Sequence, residues 1–266
     1  MDIDWDVVKK QTLWSYEELV KKLLKTLDYV FVRQYYNHNM AQAVNFAEKV
    51  QAGYLQGRSE PATGNLMRAK FRQLEAAHVG DYLDLVRSVE SREKCVSFLE
   101  QTGFGFNELV ETLNYLFRMV LPFVTPVREL VDLNRDTHKV YFEKLKEMKL
   151  VSNLDVLEQG RTLDGRKSLC QTSGIPEAFM TELVHKADIS RLAYVRGKTV
   201  IHLCGGGYDT LEKIAGADIE EMEKAMEAHY KTLGKSLADF KAVIPLDWMI
   251  GGARILPRVV EIVDYH

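Results

Sequence analysis

The feature that most constrains the fold is the stretch from Gly165 to Ala217, in which short helical segments alternate with tight turns. The turn residues are Ser173-Gly174-Ile175-Pro176 in one place and Gly205-Gly206-Gly207 in another, and glycine and proline are the residues that most often interrupt helices. No Asn-Gly or Asp-Gly pair lies between two alternating apolar runs, so β-hairpin signals are scarce. The sequence therefore predicts an all-α protein.

The first 125 residues predict an N-terminal helical bundle, because several helical patterns follow one another with short loops between them. Ser15 and Glu18 have the spacing of a capping box. Apolar residues then recur with a helical period from Tyr16 to about Tyr36. Further helices are predicted over residues 40–55, 65–80, 91–101 and 107–120, with a loop over residues 57–64.

After Pro126 the predicted helices shorten and turn signals become frequent, which places a domain boundary at residues 125–126. The second domain is predicted over residues 126–230. Residues 231–266 are expected to form a C-terminal helix or strap packed on that domain. The final part of this segment, from Ile244, is apolar and is expected to be irregular in its first half. An interaction segment is the alternative interpretation of this tail.

Three pieces of the second domain resemble a bacterial family of uncharacterised proteins built from paired helix-hairpin-helix units. The pieces are LKEMKLVSNLDVLEQG from Leu145, GRKSLCQTSGIPEAFMTELVHKADISRL from Gly165 and GGGYDTLEKIAGAD from Gly205. The resemblance extends over about residues 130–228 and is more distant to the tandem helix-hairpin-helix domains of DNA repair proteins and helicases. It implies a tandem helix-hairpin-helix fold, and no biochemical activity is assigned to the family.

The two units also form a quasi-repeat with an offset of 58 residues. The offset aligns Leu145 with Leu203, Lys149 with Gly207, and Ser152 with Thr210.

In helix-hairpin-helix units, two hairpin glycines permit a positive φ and let the backbone approach a phosphate at a helix N-terminus. The resemblance places these positions at Tyr194 and Arg196 in the second unit, and at Asp136 and His138 in the first. All four glycines are absent. Gly197 lies one residue late and is expected to restore the second turn only in part. The expected phosphate site is therefore eroded.

Three basic residues remain around this hairpin, namely Arg191, Arg196 and Lys198. With Gly197 they are the candidate residues for binding nucleic-acid phosphates, and a solvated surface hairpin is the alternative. Arg191 is expected to pair with Asp188 or with a helix end, and an exposed pair of this kind would contribute about 0–1 kcal/mol. The charge balance argues against a dedicated nucleic-acid binder, since the chain has a net charge of −3, and residues 126–230 hold 15 Lys and Arg against 18 Asp and Glu.

Glu75 and His78 form an ExxH pair, whose spacing on a helix places both side chains on one face, as in di-iron carboxylate bundles. Such a site requires a second ExxH pair and two further glutamates from the same bundle. The other ExxH pair, Glu182 and His185, lies in the second domain. A surface pair without metal is therefore the expectation.

Tyr35, Tyr36 and His38 lie in a segment dense in aromatic and hydrogen-bonding groups at a predicted helix end. They are candidates for a small-molecule pocket. The alternative is an ordinary helix C-terminus with tyrosines covering the edge of the bundle.

The remaining signals exclude several classes of protein. The three cysteines form no CxxC pair, which is typical of reduced thiols in a cytoplasmic protein. The acidic N-terminus lacks an apolar signal core, and the most apolar window, residues 109–125, contains Glu111 and Arg118 and is too short to span a membrane. No complete catalytic or nucleotide-binding motif is present, so we expect no cofactor.

Three functions remain open from the sequence. The first is a non-enzymatic binding or scaffold protein that contacts a protein partner or a second copy of itself. The second is weak or structure-specific nucleic-acid binding through residues 191–198. The third is a small-molecule or metal site in the N-terminal bundle.

Overall fold

The computed structural model describes residues 3–54, 61–238 and 245–262. Within these ranges the regular structure is helical, with 16 α-helices and isolated β-bridges but no β-sheet, which confirms the predicted all-α class. The chain divides into two compact units, Met1–Leu121 and Pro122–His266. Among the helices described, none is both long and apolar enough to cross a membrane.

In its described residues the first unit contains eight α-helices and ends in one π-helical turn. They are α1 (Asp6–Thr12), α2 (Tyr16–Leu27), α3 (Val30–Tyr36), α4 (Met40–Tyr54), α5 (Pro61–Ala76), α6 (Tyr82–Ser88), α7 (Arg92–Thr102), α8 (Phe106–Tyr115) and the π-turn Leu116–Val120. The predicted capping box is confirmed, because the Glu18 amide donates to Ser15 Oγ and the Ser15 amide donates to Glu18 Oε2. Contacts between neighbours in the chain are extensive, above all between α4 and α5.

The single helix predicted from Tyr16 to Tyr36 is wrong, because the structure divides it into α2 and α3. Tyr29 adopts an extended conformation as the N-cap of α3. Arg33 then donates from Nη1 to the Leu27 and Asp28 carbonyl oxygens at 3.3 and 3.0 Å. These bonds satisfy carbonyls that the end of α2 leaves open, so the break costs little although the apolar period continues across it.

The next boundaries also differ from the prediction. Residues 57–60 of the predicted loop lie outside the described residues, whereas residues 61–64 are helical, because α5 begins at Pro61. Proline is well suited to the first helical position, where its missing N–H is not needed. The helix predicted to reach Gly80 ends at Ala76, and Asp81 caps α6 by accepting from the Asp84 amide at 2.8 Å.

In its described residues the second unit contains a 3₁₀ turn followed by eight α-helices. They are Val127–Glu129, then α9 (Asp136–Glu147), α10 (Asn153–Gly160), α11 (Leu163–Ser173), α12 (Glu177–Ile189), α13 (Gly197–Gly205), α14 (Leu211–Ala215), α15 (Ile219–Thr232) and α16 (Leu246–Ile255). Helix α10 packs against α11 and α12, α13 packs against α15, and α16 packs against α14 and α15.

The α9–α10 and α13–α14 connections have the same local geometry at the predicted offset. Each first helix ends with an amide bonded to the carbonyl five residues earlier, Leu150 to Leu145 at 2.8 Å and Tyr208 to Leu203 at 2.9 Å. Lys149 and Gly207, which the offset pairs, both have a positive φ, of 60° and 90°. Ser152 and Thr210 then cap the following helices.

The first repeat, which contains α9 and α10, departs from the resemblance at its hairpin. The resemblance matches Asp136 and His138 to glycines of the hairpin turn. This assignment is wrong, because both residues lie in the first turn of α9. Helix α9 therefore begins one turn earlier, relative to the repeat, than α13.

The tail is helical where the sequence predicts irregular structure. Gly251 and Gly252 lie inside α16 and disfavour a helix by about 1 kcal/mol each. Their effect is outweighed because Leu246, Met249 and Ala253 are buried, and packing of an apolar face supplies most of the stability of a protein helix. Residues 256–262 follow without regular structure.

Arg166 holds the end of this strap from inside the second unit. Its side chain is buried, at 2% exposure. Nη2 donates to the Glu261 carbonyl at 2.6 Å, and Nη1 donates to the Gly160 carbonyl at 3.3 Å. The Glu261 carboxylate accepts from the Leu163 amide at 2.7 Å, which adds a negative charge at the N-terminus of α11, where it is favourable.

Arg191 binds the same strap nearer to α16, at Pro257. Its Nη1 and Nη2 both donate to the Pro257 carbonyl at 3.2 Å, while Nε donates to Asp188 Oδ1 at 2.8 Å. Both members of the Arg191–Asp188 ion pair are buried. Burial raises the pKa of the Asp188 carboxyl, and Arg191 opposes that rise. One guanidinium therefore links α12 to the strap.

Removing this guanidinium should destabilise the chain strongly. We expect Arg191→Met to lower the free energy of unfolding by about 3–5 kcal/mol, because it leaves the Asp188 carboxylate buried without its partner. The exposed Arg196→Met is the matched control and should lower stability by no more than about 1 kcal/mol, the contribution of an exposed cation–π contact. Urea unfolding measures both. Equal losses in the two variants would contradict the role of Arg191, and the double variant Asp188→Leu/Arg191→Met should recover part of the loss.

Candidate functional site

The hairpin between α12 and α13 is the candidate site, and buried residues fix its shape. Leu192 and Val195 are both buried, and the Val195 amide donates to the Leu192 carbonyl at 3.1 Å. Tyr194 and Arg196 lie on either side of Val195 and are exposed. The hairpin therefore presents two large side chains from a backbone that is anchored in the core.

Tyr194 occupies a left-handed backbone conformation, with φ of 64°. This conformation costs a non-glycine residue about 1–2 kcal/mol. The side chain is 41% exposed, and its ring packs edge-on against Trp248 of α16, with centroids 5.7 Å apart. The position matched to a family glycine thus retains a positive φ but carries an aromatic ring where a phosphate would approach.

Arg196 is the N-cap of α13, and its guanidinium carbon lies 4.8 Å from the centre of the Phe123 ring. A cation–π contact of this kind contributes about 0.5–1 kcal/mol at an exposed site. We use the term hairpin surface for Tyr194, Arg196, Phe123 and Trp248. Lys198 is exposed in the first turn of α13 and lies two residues after Arg196 in the chain.

Gly197 is buried and serves close packing. A Cβ atom at this position would lie 2.4 Å from Glu129 Cβ and 2.5 Å from the Glu129 carbonyl oxygen. The glycine therefore lets the 3₁₀ turn pass directly against the start of α13. The backbone and Cβ of Glu129 therefore fill the space in front of Gly197.

Arg191 does not belong to an exposed basic set. Its guanidinium is buried and bonded to Asp188 and Pro257, as described above. The predicted pairing with Asp188 is present, but the prediction that this pair is exposed is wrong. The physical reason is the strap, which covers the pair. Of the three basic residues proposed for phosphate binding, Arg196 and Lys198 remain accessible.

The three candidate pocket residues of the first unit, Tyr35, Tyr36 and His38, are not equally buried. Tyr36 is buried and Tyr35 is half-buried. The His38 ring packs against Phe46 and Tyr82, with centroids 5.0 and 5.7 Å apart. Burial lowers the pKa of His38, which favours the neutral form of its imidazole. Its observed contacts are those of an aromatic cluster.

Glu75 and His78 do not share a helical face. Helix α5 ends at Ala76, and His78 has a φ of 62° beyond that end. Both side chains are exposed. The one-face prediction fails because the helix terminates between the two residues. Among the described residues, no group of three or more His, Cys, Asp or Glu side chains is placed to hold a metal ion.

The cysteines are free in the structure, with Cys95 buried and Cys170 and Cys204 half-buried. Burial raises the pKa of the Cys204 thiol to about 11. It also raises the pKa values of Cys95 and Cys170. A nucleophilic cysteine requires the opposite shift, so these thiols have the properties of structural residues.

Phe123 and Trp248 are the residues of the hairpin surface that sequence reasoning missed. Both lie far along the chain from the hairpin, and no local spacing connects them to it. The apolar character of the tail was the one signal that pointed towards Trp248.

Comparison with models of protein families gave no match, and comparisons with curated proteins and with solved structures also gave none. The resemblance to helix-hairpin-helix proteins stays a prediction from the residues that carry it.

The role of Gly197 can be tested directly. We expect Gly197→Ala to destabilise the chain by about 1–3 kcal/mol, since the added methyl group overlaps the backbone of Glu129. Gly216→Ala is the control, because its Cβ would meet only the Glu212 carbonyl oxygen at 3.4 Å. Chemical denaturation compares the two. A Gly197→Ala variant as stable as the Gly216→Ala variant would contradict the packing role.

Proposed function

We propose that this chain is a non-enzymatic binding protein whose hairpin surface contacts another protein. The observation that carries the proposal is the exposed Tyr194, held in a left-handed conformation and packed on Trp248. Strained residues persist where the surrounding structure over-determines them, and they concentrate at functional sites.

The composition of the hairpin surface supports a protein partner. Tyrosine, tryptophan and arginine are the residues that most often dominate the energy of protein interfaces. They bury a large area at a small entropic cost when they are already held in place. Here Trp248 supports the Tyr194 ring, and Phe123 supports the Arg196 guanidinium. The surface is therefore partly pre-organised for binding.

The same surroundings weaken the alternative of phosphate binding. Arg191 is directed into the core, and Glu129 packs against the start of α13. Arg196 and Lys198 are the two accessible cations of the candidate set. A nucleic-acid site that relies on two phosphate contacts would be weak, because affinity grows with the number of phosphates neutralised.

A cross-linking experiment tests the proposal. A photoreactive phenylalanine analogue at Tyr194 should give, in the native cell, an adduct with one defined protein or with a second copy of the chain. The same analogue at the exposed Val140 of α9 is the control and should not give that adduct. Adding Arg196→Ala and Trp248→Ala should abolish the adduct at position 194, because these substitutions remove the supporting contacts. An unchanged adduct would contradict the proposal.

A binding titration separates the nucleic-acid alternative. Short duplex, branched and single-stranded DNA and RNA are titrated into the purified chain at two salt concentrations. On the proposal, no salt-sensitive binding occurs, and Arg196→Ala/Lys198→Ala folds as the parent chain does. Salt-sensitive binding that this double variant loses would favour phosphate recognition by the hairpin instead.

A further inference from the structure

Two histidines from different helices meet in the second unit. Nδ1 of His202 on α13 lies 3.2 Å from Nε2 of His229 on α15, and the ring centroids are 5.5 Å apart. An imidazole nitrogen either carries a proton and donates, or lacks one and accepts. This contact therefore requires one nitrogen of the pair to be unprotonated. When both rings are cationic, the two nitrogens both carry protons and the hydrogen bond is lost.

The packing leaves the His229 ring little freedom to turn away. A Cβ atom on Gly205 would lie 2.2 Å from Cε1 of His229 and 2.7 Å from each of its ring nitrogens. The imidazole thus rests directly on the glycine backbone at the end of α13. The partner ring, His202, also contacts the buried Tyr230 of α15, with ring centroids 4.8 Å apart. The ring contact therefore lies directly between α13 and α15.

The charges around the pair disfavour a second proton. Lys198 on α13 and Lys235, which follows α15, both act on His202 with the same sign as a protonated His229. Burial and these cations lower the pKa of His202. On α15 itself, Glu227 is engaged by Lys231 at 3.1 Å.

Charged side chains on the helices packed around α13 and α15 interact with groups other than His202. Lys186 and Glu182 of α12 act on Cys204 rather than on His202, as does Asp209 before α14. On α16, Arg254 donates to the Ala215 carbonyl at 2.8 Å.

We propose that His202 and His229 form a pH-sensitive latch, which holds α15 against α13 while one ring is neutral and releases it when both are protonated. The neutral form of His202 is favoured in the folded chain, so this ring binds fewer protons in the folded state than in the unfolded state around pH 6. The stabilisation is complete above about pH 6.5 and is lost as the pH falls below that value. The latch is independent of what the hairpin surface binds.

Hydrogen exchange of the full chain tests the latch. Backbone amides of α15 are compared at pH 7.5 and 5.5, after correction for the intrinsic pH dependence of exchange. Helix α10, which contains no histidine, serves as the internal reference. We expect the protection of α15 to fall on the order of tenfold more than that of α10. An equal change in the two helices would overturn the proposal.

Two variants assign the effect to the histidine pair. His229→Gln and His202→Gln each keep a hydrogen-bonding group and remove one titrating ring. Either should make the protection of α15 the same at both pH values. His202→Gln decides the matter if the tight packing on Gly205 prevents His229→Gln from folding. His78→Asn, in the first unit, is the control and should retain the full pH response. A full pH response in His202→Gln would overturn the latch.

Discussion

The second unit depends on two buried guanidinium groups that bind the backbone of the C-terminal strap. Residues 256–262 have no regular structure, so their carbonyl groups need partners from elsewhere when they are covered. Arg191 and Arg166 supply those partners at Pro257 and Glu261. An arginine can do this because its planar head has several donors, so one group bonds both a carboxylate and a carbonyl. These bonds make the strap part of the packed second unit. They also fix the end of α16, which directly precedes the strap in the chain.

The position of α16 in turn determines the character of the hairpin. Trp248 lies on this helix and gives Tyr194 an aromatic neighbour, which compensates for part of the strain of its left-handed backbone. A turn that the resemblance associates with glycine and phosphate therefore keeps its backbone conformation at position 194 but presents a side chain. The hairpin thus presents aromatic surface where the resemblance expects accessible backbone, and the proposed protein contact rests on this difference.

Signals that act within a few residues could be predicted, and contacts between distant residues could not. The Ser15–Glu18 box and the repeat between the α9–α10 and α13–α14 connections depend on neighbouring residues, and the sequence pattern contains them. The break after α2 depends on Arg33 reaching back to the Leu27 and Asp28 carbonyls, which the apolar period does not record. The burial of Arg191 depends on Pro257, 66 residues away. The contact between Tyr194 and Trp248 could not be predicted for the same reason, because the two residues lie far apart in the chain.

The shifted pKa values of several buried groups have a common physical cause. An active site gathers several groups with shifted pKa values in one cleft, with complementary shifts that suit proton transfer or nucleophilic attack. In the described residues, His38 owes its lowered pKa to packing within the first unit, and Asp188 is engaged by Arg191 inside the second. The raised pKa of the Cys204 thiol opposes nucleophilic attack at neutral pH. Burial is the largest cause in each case, so these shifts record how the helices pack. The exposed aromatic and cationic side chains of the hairpin surface remain available for recognition.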